Sequence, residues 1–100
     1  MAKKSIVWTQ TAIKQRRHVL KYWTIRNHST TYAEKLIGLI KDRVNLIAEN
    51  PLIGKSTNHS ETREAAMGNF SIYYKFIGDK IFITAFWDNR QSPKKLIKIL

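Results

Sequence analysis

Residues 70 to 87 read "FSIYYKFIGDKIFITAFW", and this stretch limits the possible folds more than any other part of the chain. Two runs rich in aromatic and β-branched residues flank Gly78-Asp79, a two-residue turn signal with glycine first. They predict a tight antiparallel hairpin. Pairing Ile77 with Lys80 sets the register. It puts Phe70, Ile72, Tyr74 and Phe76 on one face with Ile81, Ile83, Ala85 and Trp87, and a one-residue slip would scramble that apolar set. The other face then holds Ser71, Tyr73, Lys75 and Lys80 beside Phe82, Thr84, Phe86 and Asp88. The first face needs a cover, whereas the second, mixed and cationic, is expected to stay partly open as a binding surface.

The cover lies upstream. "SIVWT" at 5–9 reads as a short strand, after which Thr9 or Thr11 caps a helix running to about Arg26. Ala12, Val19, Leu20 and Trp23 recur there at helical spacing. "NHST" breaks that helix, and Thr31 followed by Glu34 predicts a capping box at the start of a second one. Ala33, Leu36, Ile37, Ile40, Val44 and Ile47 form its apolar stripe, and Asn50-Pro51 end it. A break this short implies an antiparallel helix hairpin. "NPLIGKSTNHS" reads as a loop, followed by a strand near 62–67 turned by Gly68-Asn69. The expectation is one α+β domain over residues 1–100, in the order β-α-α-β-β-β. The helix hairpin covers one sheet face, with Leu36, Ile40, Val44 and Trp23 against Phe70, Ile72, Tyr74, Ile83, Ala85 and Trp87.

Charge narrows the function. Eighteen Lys and Arg stand against seven Asp and Glu, a net +11, which favours an anionic partner: nucleic acid, an anionic surface or an acidic protein. Apolar residues make up 43% of the chain, enough for a real core. There is no cysteine, so disulfides and thiolate metal sites are excluded, which suits a reducing compartment. The N-terminus lacks the apolar run of a secretory signal, and no segment is long enough to span a bilayer. A soluble, intracellular protein without a membrane role is expected. His18, His28 and His59 share no metal-ligand spacing, and neither a catalytic triad nor a glycine-rich phosphate loop is present. No metal, cofactor or small-molecule substrate is therefore expected. Trp8, Trp23 and Trp87 read as core residues.

The last strand ends in "FWDNRQSPKKL". With Trp87 facing the core, Asp88 points away and Arg90 comes to the sheet end beside the open face. There it is placed to clamp a phosphate or carboxylate, or to pair with Asp88. Pro93 is expected to end pairing, and the segment after it to dock as a short terminal helix or strand, with Leu96, Ile97 and Leu100 inward.

In order, spacing and length these elements resemble the RelE/ParE superfamily of toxins from bacterial type II toxin–antitoxin pairs. The resemblance rests on "IVWTQTAIKQ", "YAEKLIGLIKDRVNLIAENPLIGK", Arg63, "GNFSIYY", "IFITAFW" and Asn89-Arg90, and covers nearly the whole chain. It implies a three- to four-stranded antiparallel sheet with two helices. It also implies a basic toxin of the bacterial cytoplasm, neutralised by an acidic antitoxin. RelE-type members cleave messenger RNA on the ribosome, whereas ParE-type members inhibit DNA gyrase by binding. The RelE pattern has Gly-Tyr-Arg in the third main strand and a Tyr or His near the C-terminus. Here Phe70 and Ser71 stand in that strand, and the later aromatic position falls near Leu96. The departure favours ParE-like action on gyrase. Ribosome-dependent cleavage is the alternative, with Arg90 as the catalytic candidate and Tyr73 and Lys75 as substitutes. A plain nucleic-acid-binding module is the third reading. Arg90, Arg63, Tyr73, Lys75, Lys94 and Lys95 are the residues expected to bind target or antitoxin.

Overall fold

The computed structural model describes residues 3–90. The predicted terminal segment, with Lys94, Lys95, Leu96, Ile97 and Leu100, lies outside the described residues. The elements run β1 (Ser5–Trp8), α1 (Gln10–Asn27), α2 (Thr31–Glu49), β2 (Lys55–Ser56), β3 (Arg63–Met67), β4 (Phe70–Ile77) and β5 (Lys80–Asp88). The α+β class and the helix hairpin are as expected. The sheet differs in two respects. It has five strands in the order β1-β5-β4-β3-β2, because two residues of the predicted loop pair with β3. It is also mixed, since β1 lies parallel to β5 from Ser5 opposite Lys80 to Trp8 opposite Ile83. Parallel neighbours need a long crossover, and the intervening chain provides it.

Local chemistry explains the helix ends. Thr9 is extended, and its hydroxyl accepts the Ala12 N–H at 3.2 Å, which satisfies one of the first-turn donors of α1. His28 stops the helix in a left-handed conformation at φ 51°. The start of α2 departs from the predicted capping box. Its cap is Thr30, whose near-helical backbone is not the extended geometry that turns a hydroxyl back onto the helix. Thr30 instead donates to the Glu34 carboxylate at 3.4 Å, and the Thr31 N–H goes to the Ser29 hydroxyl.

One face of the sheet and the facing sides of both helices enclose the main core. Leu36, Ile40, Val44 and Ile47 of α2 meet Ala12 and Val19 of α1 and Ile72, Tyr74, Ile81 and Ile83 of the sheet. Ile37, predicted in the same stripe, is 51% exposed. The Tyr74 hydroxyl donates to the Pro51 carbonyl at 2.7 Å and accepts the Gly54 N–H at 2.9 Å, anchoring the loop after α2. Burial is the main influence raising the Tyr74 phenol above its ordinary pKa.

The β4–β5 hairpin turns at Gly78-Asp79 with Ile77 opposite Lys80, as predicted, but the register does not persist. Tyr74 faces Ile83 while Tyr73 faces Ala85, so Thr84 is an extra residue in β5. The bulge falls where β5 loses its parallel neighbour. The chain leaves β1 at Trp8, the Thr9 N–H caps the Ile83 carbonyl, and the Thr84 hydroxyl turns back to the Tyr73 carbonyl. Past that point the Phe86 N–H is satisfied by the Gln15 side chain of α1 at 2.8 Å. Every residue of β5 beyond the bulge therefore changes face. Phe86 enters the main core and stacks on Phe70, their ring centroids 5.4 Å apart. Ala85 and Trp87, predicted to face the helices, instead pack with Tyr73 on the other side.

The expectation of an open second face is corrected as well. Ser71 and Ala85 are fully buried, and Tyr73 and Trp87 are 7% and 6% exposed. The bulge brings Trp87 and Ala85 against Tyr73, which closes the middle of that face.

Candidate functional site

The bulge also relocates Arg90. Asp88 pairs with Phe70 on the helix-bearing side, and Arg90 follows it there rather than to the second face. Its guanidinium carbon lies 4.9 Å from the Trp23 ring centre and 5.6 Å from that of Phe70. Asp88 grips it twice, accepting from Nε at 2.8 Å and from Nη2 at 2.6 Å, and also accepts the Arg90 backbone N–H at 3.0 Å. The geometry is a planar fork on a carboxylate. Hydrogen bonding from the Arg90 side chain holds the Asp88 carboxyl below its ordinary pKa, and the same contact raises that of Arg90.

The second half of α1 supplies the opposite wall. His18 and Tyr22, and Val19, Trp23 and Arg26, recur at three- and four-residue intervals and so share one side of the helix. With Asp88 and Arg90 they line an open cavity of about 450 Å³ at the corner where α1 meets the end of the sheet. Tyr22 and Tyr32 both contact Trp23 edge-on, at 5.2 and 5.1 Å between centroids. Arg26 lies 5.8 Å from the same indole. The result is a cluster of aromatic rings carrying two guanidiniums, one already neutralised by Asp88. Such a corner offers Arg26 and the free side of Arg90 to a carboxylate or phosphate, with Tyr22 as an exposed apolar neighbour.

The other predicted site residues lie elsewhere. Arg63 is on the helix-bearing side of β3, between β4 and the edge strand β2, where Nη1 donates to the Gly54 carbonyl at 2.7 Å and holds the loop against Tyr74. Tyr73 is on the second face, and its hydroxyl donates to Glu64 Oε2 at 3.3 Å. Burial, followed by the Glu64 charge, raises its phenol above the ordinary pKa. Ser71, where the RelE pattern has an arginine, is buried and hydrogen-bonded to the same carboxylate and to Asn89 Nδ2. Lys75 shares that face, partly buried opposite Phe82. The structure therefore does not bring Arg90, Arg63 and the Tyr73–Lys75 pair together; they occupy three separate places. Tyr22, Arg26 and His18 were missed in the sequence. The i, i+4, i+8 spacing of His18, Tyr22 and Arg26 was visible, but nothing local linked it to the end of β5. Among the described residues, no three His, Cys, Asp or Glu side chains are grouped to hold a metal ion. No described helix is long and apolar enough to cross a membrane.

A family model described as the ParE toxin of the type II toxin–antitoxin system parDE matches residues 6–93. The chain belongs to the ParE toxin family. Solved structures agree with the fold of this ParE-family toxin. A chain of the chromosomal ParDE system from P. aeruginosa superposes with a TM-score of 0.72 at 18% identity, covering 84% of this chain and 94% of that one. A chain of the RelBE2 toxin–antitoxin complex from Mycobacterium tuberculosis gives 0.63 at 14% identity, covering 85% and 96%. No curated protein sequence matches significantly. The ParE match continues to residue 93 and so includes the bulge, Asp88 and Arg90.

Proposed function

We propose that this ParE-family toxin arrests bacterial growth from the cytoplasm by binding DNA gyrase, and that a cognate acidic antitoxin neutralises it. The supporting observation is the dispersal of its basic and hydroxyl groups. Cleaving RNA with protein side chains alone requires several groups to converge on one phosphate, both to position it and to stabilise developing charge. Here Arg90 is clamped by Asp88 on one side of the sheet, Arg63 is committed to Gly54, and Tyr73 and Ser71 are tied to Glu64 on the other side. That arrangement serves binding better than catalysis. The net +11 charge supplies long-range attraction for an acidic antitoxin.

The test places purified toxin with gyrase and a relaxed plasmid in one assay and with translating ribosomes in another. Inhibited supercoiling with intact message is the expected result. Message cleaved at the decoding site would replace this reading with ribosome-dependent RNase action. Tight, salt-sensitive binding to bare RNA or DNA with neither effect would make the chain a nucleic-acid-binding module. In cells, expression alone should stop growth, and co-expression of the antitoxin should restore it.

A further inference from the structure

The corner beside Arg90 holds hydrogen-bond donors that the fold does not use. Trp23 lines its cavity, and the buried indole N–H has no acceptor among the described residues. Leaving a buried donor unmade is costly, so a native protein rarely does it without a use for the group. The two guanidiniums of the cavity also have donors to spare. Asp88 takes Nε and Nη2 of Arg90, which leaves Nη1 with no hydrogen bond among the described residues. Arg26 is exposed and forms no ion pair with a described carboxylate. Two guanidiniums against the one Asp88 carboxylate leave the lining with a single net positive charge when His18 is neutral. Tyr22, 48% exposed, adds an aromatic ring to the same lining.

We infer that this corner is where the toxin grips its target protein, taking an Asp or Glu side chain of gyrase between Arg26, Arg90 and the Trp23 N–H, with an adjoining apolar residue of gyrase on Tyr22. The inference rests on the gyrase reading above and adds which surface makes the contact and what chemistry it recognises.

Three physical points select that occupant. A nucleic-acid strand carries a phosphate at every nucleotide and needs a row of cations. Asp88 stands in this wall and would repel the phosphates flanking the first, whereas one carboxylate matches the single net charge. A second copy of this chain would bring together two molecules each carrying +11. Arg90 is also held ready: the Asp88 fork and the Trp23 face, 4.9 Å away, fix its guanidinium before any ligand arrives. Less side-chain freedom is then lost on binding, and arginines and aromatic rings are the side chains that most often carry the energy of a protein interface.

The test measures inhibition of supercoiling by purified toxin, and its direct binding to gyrase without DNA, for the parent and four variants. Arg26→Ala removes a cation, Tyr22→Ala the exposed ring, and Trp23→Phe the indole N–H while keeping an aromatic ring. Lys80→Ala removes the same charge from an exposed position at the turn end of β5 and serves as the control. Thermal melts confirm that each variant is folded. Arg26→Ala should raise the half-inhibitory concentration and the Kd by about tenfold or more, the scale of a lost charge-assisted hydrogen bond. Tyr22→Ala and Trp23→Phe should each raise them by about fivefold, and Lys80→Ala by less than about twofold. Inhibition by all four variants at the parent's strength would overturn the corner assignment and leave the gyrase reading standing. Binding that requires DNA, with Arg26→Ala losing affinity for bare DNA and a steep salt dependence, would replace the carboxylate with a phosphate backbone. A folded parent that neither binds nor inhibits gyrase would remove both readings.

Discussion

The two halves of the β4–β5 hairpin behave differently although one turn sets both. Between the turn and Ile83, side chains alternate as a regular strand pair should: Phe76, Ile81, Tyr74 and Ile83 point to the helices. Beyond Thr84 the alternation is inverted on β5 alone, so Phe86 points inward and Trp87 outward. The near half has β1 alongside it, and the far half has α1. A helix meets a strand edge with side chains and cannot continue its ladder, so the strand bends there, as bulges allow. One inserted residue thereby decides which side of the molecule receives Arg90.

The sharpest test of that difference compares Phe82 with Phe86. Simple alternation gives both the same environment, whereas the structure leaves Phe82 partly exposed and buries Phe86 against Phe70. Phe86→Ala should cost about 3–5 kcal/mol in urea unfolding, as buried aromatic truncations do. Phe82→Ala should cost less than half as much. Equal losses would break the comparison.

Tyr74 anchors the near half through the loop at Gly54. A Cβ on Gly54 would meet the Tyr74 hydroxyl at 2.6 Å and the Glu64 backbone oxygen at 2.9 Å. Since that backbone cannot yield, Gly54→Ala should cost about 1–3 kcal/mol, the usual range for overpacking. A melting temperature equal to that of the parent would show that the loop is not held there.

On the far half, Arg90→Ala should lower stability by about 0.5–1 kcal/mol, the scale of an exposed cation–π contact. Growth arrest in cells would be measured alongside; a loss of activity with no change in stability would assign Arg90 to the target alone. The smallest effect concerns Asp88. Its folded-state pKa is depressed, so its pairing contributes stability above its unfolded value of about 3.9, and that contribution disappears as pH falls through the folded value. The parent should therefore exceed Asp88→Asn by a few tenths to about 1 kcal/mol at pH 7, a gap that closes at lower pH. A gap that persists unchanged to pH 2 would mean the pair does not form in solution.

Much of the architecture was readable because its signals are local. Thr9 announces α1, Asn50 closes α2, and Gly78-Asp79 sets the hairpin turn together with its first pairs. The bulge was not readable because Ala85, Phe86 and Trp87 are consecutive apolar residues. Either parity buries something, so the pattern that sets the near half says nothing about the far half. The parallel placement of β1 and the approach of α1 to β5 depend on long-range contacts that no short window contains. The candidate site was accordingly half legible. Arg90 stood out as a charged residue ending a strand, but its partners Trp23, Tyr22 and Arg26 lie more than sixty residues earlier in the chain.

The bond from the Phe86 N–H to Gln15 has a consequence for solubility. A strand that outruns its neighbour leaves free amide groups, and such edges recruit other chains into growing sheets. In this molecule a side chain from α1 occupies the Phe86 amide, so an incoming strand finds that ladder position already taken. Gln15 thus acts as a stopper, one residue long, on an edge that would otherwise be sticky.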